Sequence, residues 1–169
     1  MFEVTNIVVR SALNVSLNLR ELAHKLRDVR YNPKKFSAII WHHKRVGGSC
    51  LLFNNGQIIV QGSKTLKEAK LRVRRFARLI QKQGYSVTLG QISLVTASAV
   101  ATLGHSLDLH NVASLMTGSF EPELFNGAVF YKDNIHYSCF TSGKIVITGI
   151  KSFASIDSHI YPVLMELSL

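Results

Sequence analysis

The chain is short of cysteine, proline and acid, and it has no long apolar run. Its two cysteines, Cys50 and Cys139, are too few for a disulfide framework in 169 residues. Each sits in an apolar stretch, where a buried reduced thiol is the simpler reading. No CxxC pair occurs, and the seven histidines show no HExxH or paired-ligand spacing, so no metal site and no cofactor are expected. The most apolar stretch, 92–104, is thirteen residues long and rich in Ser, Thr and Ala, too short to span a bilayer. The N-terminus lacks a charged-then-apolar leader pattern. A soluble intracellular protein with no membrane partner is the expectation. There is no carboxylate cluster, nucleophile–base arrangement or glycine-rich phosphate loop, so no catalytic residue is assigned and no enzyme is expected.

The shortage of acid is uneven. Up to Gly84 there are seventeen basic and four acidic residues, a balance of +13; from Tyr85 onward three basic residues face six acidic ones, a balance of −3. Such asymmetry suits a nucleic acid or an acidic partner that meets one half more than the other. A generically solvated basic surface is the alternative.

What the sequence does have is an internal repeat. "SLNLRELA" at Ser16 returns as "SLDLHNVA" at Ser106, "YNPKKF" as "FEPELF", and "NNGQIIVQGSK" at Asn54 as "TSGKIVITGIK" at Thr141, with offsets of 90, 89 and 87. Nearer the front, "NIVV" at Asn6 is paired with "SLVT" at Ser93. The repeats are expected to run 1–84 and 85–169.

Periodicity supplies the elements. Leu19, Leu22, Ala23 and Leu26 fall at helical spacing behind an Asn18 cap, with Glu21 placed to complete a capping box. The second copy repeats the stripe at Leu109, Val112, Ala113 and Met116 behind Asp108. Strand-like runs follow in each copy, separated by "KRVGG", "NNG", "KDN" and "TSG". A long helix capped by Thr65 closes the first copy, with Leu66, Ala69, Val73, Phe76 and Ile80 on one face and basic residues on the other. The closing helix of the second copy starts near Ser152 and contains Pro162, which should kink or shorten it. A pseudo-twofold pair of such units makes an α+β protein: one antiparallel sheet with helices on one face.

Those strands alternate poorly between apolar and polar. In "CLLF", "QIIVQG" and "KIVITG" both faces are apolar, while helices can cover only one. The uncovered face is a binding surface, or it is buried by a third layer or an obligate dimer. Phenylalanines sharpen the point. Phe36 with Phe53 gives an index sum of 89, and Phe125 with Phe140 a sum of 265, as for residues facing each other across hairpins that turn at Lys44-Arg45 and inside "KDN". Duplicated aromatic pairs beside an apolar face suit wedging into a DNA minor groove. Core packing is the alternative for any single Phe.

In "YNPKKF", "ARLIQKQGY", "EPELF", "SGKIVITG" and "IYPVL", duplicated and in order, the chain resembles the core of the TATA-box-binding protein family, from Asn6 to about Leu164. The resemblance implies a saddle of one curved sheet of about ten strands, with four helices on its convex face. Its concave face would sit on A/T-rich, TATA-like double-stranded DNA, binding and bending it in a nuclear transcription initiation role. Phe36, Phe53, Phe125 and Phe140 match the family's intercalating phenylalanines. Asn6 matches a base-contacting asparagine, and Val8, Leu51, Ile59, Val95 and Val146 match apolar groove contacts, with Thr148 a base-contacting threonine. Phosphate contacts would come from Lys44, Arg45 and Lys132.

The chain departs from the family pattern at Ser93, in the place taken for the partner asparagine, at Gln61, in a threonine's place, and at Ser138, in a leucine's. These departures imply a divergent member with relaxed sequence preference. By resemblance, Glu121, Glu123 and Leu124 form the docking loop for transcription factor IIB. Lys70, Arg74, Arg75 and Arg78 match the region approached by transcription factor IIA and negative cofactors. A homodimer through the saddle is a further expectation for the free protein. The competing reading is a related factor with weakened DNA readout that acts mainly as an interaction module sequestering initiation factors.

Overall fold

Side-chain caps set where the helices start. In the computed structural model, which describes residues 1–169, the Asn18 and Thr65 side chains accept the N–H groups of Glu21 and Glu68, and Asp108 accepts those of His110 and Asn111. The expected box at Asn18 is only half formed. Glu21 turns instead to Lys25 at 2.6 Å, and the Asn18 N–H is taken by the Tyr85 hydroxyl. Capping opens α1 (Leu19–Lys25), α2 (Leu66–Gln81) and α3 (Leu109–Leu115). Pro162 acts as expected. It has no N–H to give and opposes the carbonyl four residues back, so the turn before it widens into a π-helix, Ile156–Ile160, before α4 (Tyr161–Leu167).

The strands are β1 (Phe2–Ala12), β2 (Val29–Arg30), β3 (Ala38–Trp41), β4 (Ser49–Phe53), β5 (Gln57–Ser63), β6 (Ser93–Thr102), β7 (Ala128–Lys132), β8 (Ile135–Cys139) and β9 (Lys144–Ile150). The chain is α+β, with nine strands rather than about ten. In the second copy the counterpart of β2 shrinks to a single bridge, Ser119 with Val129. There Gly118 lies so close to the chain that a Cβ on it would meet the Val129 carbonyl oxygen at 2.3 Å.

The chain divides into two compact units, Asn6–Val95 and Met1–Thr5 with Thr96–Leu169. In the first, the antiparallel order is β2-β3-β4-β5-β1. Ile39, Trp41, Cys50, Leu52, Ile58 and Val60 are buried on one strand face, and Val73, Phe76 and Ile80 are buried on α2. The Trp41 and Phe76 rings meet at 5.0 Å. Each such large side chain contributes roughly 1.5–3 kcal/mol by leaving water. In the second unit the order is β6-β9-β8-β7. Phe130 and Tyr137 stack at 4.7 Å, with Ala128, Cys139, Ile145 and Ile147 buried beside them.

Each unit bends its ladder with one bulge at the same place. Register breaks between Ile7 and Val9 on β1, and between Ala97 and Ala99 on β6. Opposite stand Gly62 (φ +98°) and Gly149 (φ +83°), in the left-handed region that glycine enters without strain. The second hairpin turns at Asp133-Asn134, inside the expected "KDN". Both residues have positive φ, the type I′ geometry that suits a two-residue hairpin.

Candidate nucleic-acid interface

Successive strand residues point to opposite faces, so burial of one set leaves the alternate set on the other side. In the first unit, pairing lines up Arg30, Ile40, Leu51, Ile59 and Arg10 as one row. The three apolar members are half-buried and both arginines are exposed. In the second unit the matching row is Val129, Ser138, Val146 and Val100. All of its valines are half-buried, and Ser138 is sunk at 8% exposure.

The phenylalanine pairs form, but not by the expected register. β3 and β4 pair Ala38 with Phe53, and β7 and β8 pair Ala128 with Cys139, so both hairpins are two residues out from the index sums of 89 and 265. Phe36 and Phe125 lie in the loops before the strands. In those loops the Asn32 carbonyl accepts the N–H of Phe36, and the Glu121 carbonyl that of Phe125, each at 3.0 Å. This shared turn brings each ring back over the hairpin. Phe36 meets Phe53 edge-on at 6.2 Å, and Phe125 meets Phe140 edge-on at 5.7 Å. Phe36 is 43% and Phe125 45% exposed, which is far from core packing.

Asn6 is fixed by its neighbour: its Oδ1 accepts the Gly62 N–H at 2.7 Å. That leaves the amide NH₂ as its free function. The structure corrects its counterpart. Ile7 opposes Ser63 and Val9 opposes Val60, while Ala97 opposes Ile150 and Ala99 opposes Ile147. The offset on β6 is therefore 90, which makes Thr96 the equivalent of Asn6 and Ser98 the equivalent of Val8. Ser93 and Val95 do not hold those places. Ser93 is exposed at the start of β6, and Val95 is half-buried. Gln61 and Thr148 are half-buried and stand opposite Ser49 and His136. Sequence reasoning missed Arg10, Arg30, Ile40, Val129 and Val100. The signal that finds them is the ladder register, which the phenylalanine spacing misstated by two.

Among the basic candidates, Lys44 and Arg45 are exposed in the loop between β3 and β4. Lys132 shares its strand side with buried Phe130, and its ammonium lies 3.5 Å from Glu166. Arg74, Arg75 and Arg78 are exposed along α2 and Lys70 is half-buried there. Arg72 differs from them, bonding the Gly62 carbonyl, the Ser63 hydroxyl and Glu68. Glu121, Glu123 and Leu124 are all exposed, Leu124 at 81%. Burial pushes the Cys139 thiol and the Tyr137 hydroxyl up to about 12 and raises Cys50 well above its ordinary value.

A family model described as "Transcription factor TFIID (or TATA-binding protein, TBP)" matches residues 1–83 and 91–168. The chain is 30% identical over 172 residues to TATA-box-binding protein-like 1 of Entamoeba histolytica, covering 98% of this chain and 80% of that one. It is 31% identical to the TATA-box-binding protein of Caenorhabditis elegans over 94% of its own length, but spans only 49% of that protein. Among solved structures, Methanococcus jannaschii TBP superposes with a TM-score of 0.88 at 26% identity, covering 98% of this chain and 97% of the other. Fold, duplicated unit and these matches together define a DNA-binding transcription factor without enzymatic activity. The chain belongs to the TATA-binding protein family.

Proposed function

We propose that this chain is a nuclear core-promoter factor that binds TATA-like double-stranded DNA in the minor groove, bends it, and recruits transcription factor IIB. The observation that carries the reading is the pair of edge-on phenylalanines in each unit, half exposed beside a partly open apolar row. Apolar rings held at a strand end can wedge between base steps, and the bend they produce wraps more DNA onto the protein. An apolar row is tolerated by A·T pairs, whose minor-groove edge carries only acceptors and no guanine amino group. The free NH₂ of Asn6 is the donor those acceptors require. The repeats 1–84 and 85–169 would each supply one wedge. Gln61, Thr96, Ser98 and Thr148 are the candidate groove contacts beside Asn6, and Lys44 and Arg45 the phosphate contacts.

The exposed Glu121, Glu123 and Leu124 fit a basic partner such as transcription factor IIB. The basic face of α2, with Lys70, Arg74, Arg75 and Arg78, fits transcription factor IIA or negative cofactors. Without DNA, the apolar rows could also pair two copies of the chain. Changing Phe125 and Phe140 together to Ala tests the wedge by fluorescence end-to-end distance on a TATA-containing duplex. The bend is expected to disappear; an unchanged bend overturns the assignment.

A second reading is favoured by Thr96, Ser98 and Ser138, and by the pairing of Lys132 with Glu166. On that reading DNA readout is weakened, and the chain acts mainly by sequestering initiation factors. Measured affinity for a TATA duplex separates the two.

A further inference from the structure

The two open rows differ at one central position. In the first unit Leu51 stands between Ile40 and Ile59; in the second, Ser138 stands between Val129 and Val146. Ser138 is 8% exposed, so a small side chain sits below two half-buried flanking valines, two residues before Phe140 in the chain. The row therefore has a notch where the other has bulk. The notch floor carries a hydroxyl, which can accept as well as donate.

We propose that Ser138 lets the second unit accept a G·C pair in the minor groove, while Leu51 holds the first unit to A·T. This rests on the minor-groove reading above. G·C differs from A·T on that edge by the exocyclic amino group of guanine, which projects into the groove as a donor. Against Leu51 the amino group meets a hydrocarbon side chain, loses its water and finds no acceptor. Against Ser138 it finds both room and a hydroxyl oxygen. The protein thus reads its site asymmetrically: an A·T-restricted half under the first unit and a half open to G·C under the second.

The test scans a fluorescent TATA duplex, replacing each A·T pair in turn by G·C or by inosine·C, which lacks the amino group. Anisotropy at fixed salt reads the affinity. Wild type is expected to tolerate G·C within about threefold in one half of the site and to lose about tenfold or more in the other. Ser138→Leu should make the tolerant half reject G·C by about tenfold while still accepting inosine·C. Leu51→Ser should open the other half. Because it removes bulk, it carries the test even where Ser138→Leu fails to fold. Equal penalties in both halves for wild type, or an unchanged profile for both variants, overturns the proposal. Failure of wild type to bind the all-A·T duplex removes the minor-groove reading itself, and the notch with it.

Discussion

The ring of Phe125 stands 5.7 Å from that of Phe140, tilted 69° to it, over a residue with no side chain. A Cβ on Gly127 would lie 2.8 Å from a Phe125 ring carbon, 3.0 Å from the Cys139 carbonyl oxygen and 3.1 Å from Phe140. In the first unit the corresponding place under the rings is taken by Ala38, and there the pair is wider, at 6.2 Å. The smaller floor residue goes with the closer pair of rings. Gly127→Ala should push the second pair apart and cost about 1 kcal/mol, the low end for overpacking, because the rings can move but the carbonyl cannot. Urea denaturation gives the stability, and aromatic NMR contacts between the two rings give the spacing. Unchanged ring contacts would show that Gly127 does not set it.

Arg10 and Arg30 make a second prediction. Both are exposed at the ends of an apolar row, and neither forms an ion pair. If the row meets DNA, each cation adds to the counterions released on binding. Arg10→Gln should weaken binding and reduce the log–log salt slope by about 0.9. Arg78→Gln, on α2, should leave the slope as it is. Anisotropy titrations between 50 and 200 mM salt measure both; equal slopes for wild type and Arg10→Gln would take Arg10 off the interface.

How much of this was legible beforehand depended on the parity of the errors. The repeat, the helix caps and the succession of elements along the chain follow from local chemistry that a sequence displays. Register does not, because it depends on loops whose path is set by a few backbone hydrogen bonds. Phe36 and Phe125 sit in turns closed by Asn32 and Glu121, so counting them as ladder residues shifted each hairpin by two. An even shift keeps every side chain on its face, so residues grouped by that count still share a face within each hairpin. On β6 the error was three, an odd number, and an odd slip exchanges the faces. That is why Ser93 and Val95 stood where Thr96 and Ser98 belong. The bulge opposite Gly149 adds to the difficulty, since it breaks strict alternation.

The buried thiols predict an alkaline limit. Cys139 rises from 9.0 and Tyr137 from 10.0, each to about 12, through loss of solvent around the ionised form. Cys50 moves the same way. In the unfolded chain these groups lose protons first, so the unfolded state binds fewer protons above about pH 8 and stability falls as pH rises. Below about pH 8 all three are neutral in both states and contribute no slope. Melting temperature should therefore stay level in this respect from pH 7 to 8 and drop between about 8 and 12. Native protein at pH 8 should resist a thiol reagent that labels both cysteines in urea. Rapid labelling of the native state would contradict the burial.

The loop before the second phenylalanine pair gives the last prediction. Its geometry matches that of the first copy: the Glu121 carbonyl accepts the Phe125 N–H as the Asn32 carbonyl accepts that of Phe36. The backbone job of the loop is thus shared, and its side chains are free to differ. In the first copy Lys34 and Lys35 are exposed; in the second Glu121, Glu123 and Leu124 are. Since the hydrogen bond comes from backbone atoms, Glu121→Arg with Glu123→Arg should keep Phe125 in place and stability within about 0.5 kcal/mol, as for surface changes away from special features. DNA bending should persist. Binding of a basic partner should not, because like charges at an interface cost several kcal/mol. A gel-shift with transcription factor IIB is expected to show the DNA complex without the ternary band. A ternary band of wild-type strength would place that contact elsewhere, and loss of the DNA complex would mean that the loop's charges, and not only its backbone, hold the wedge.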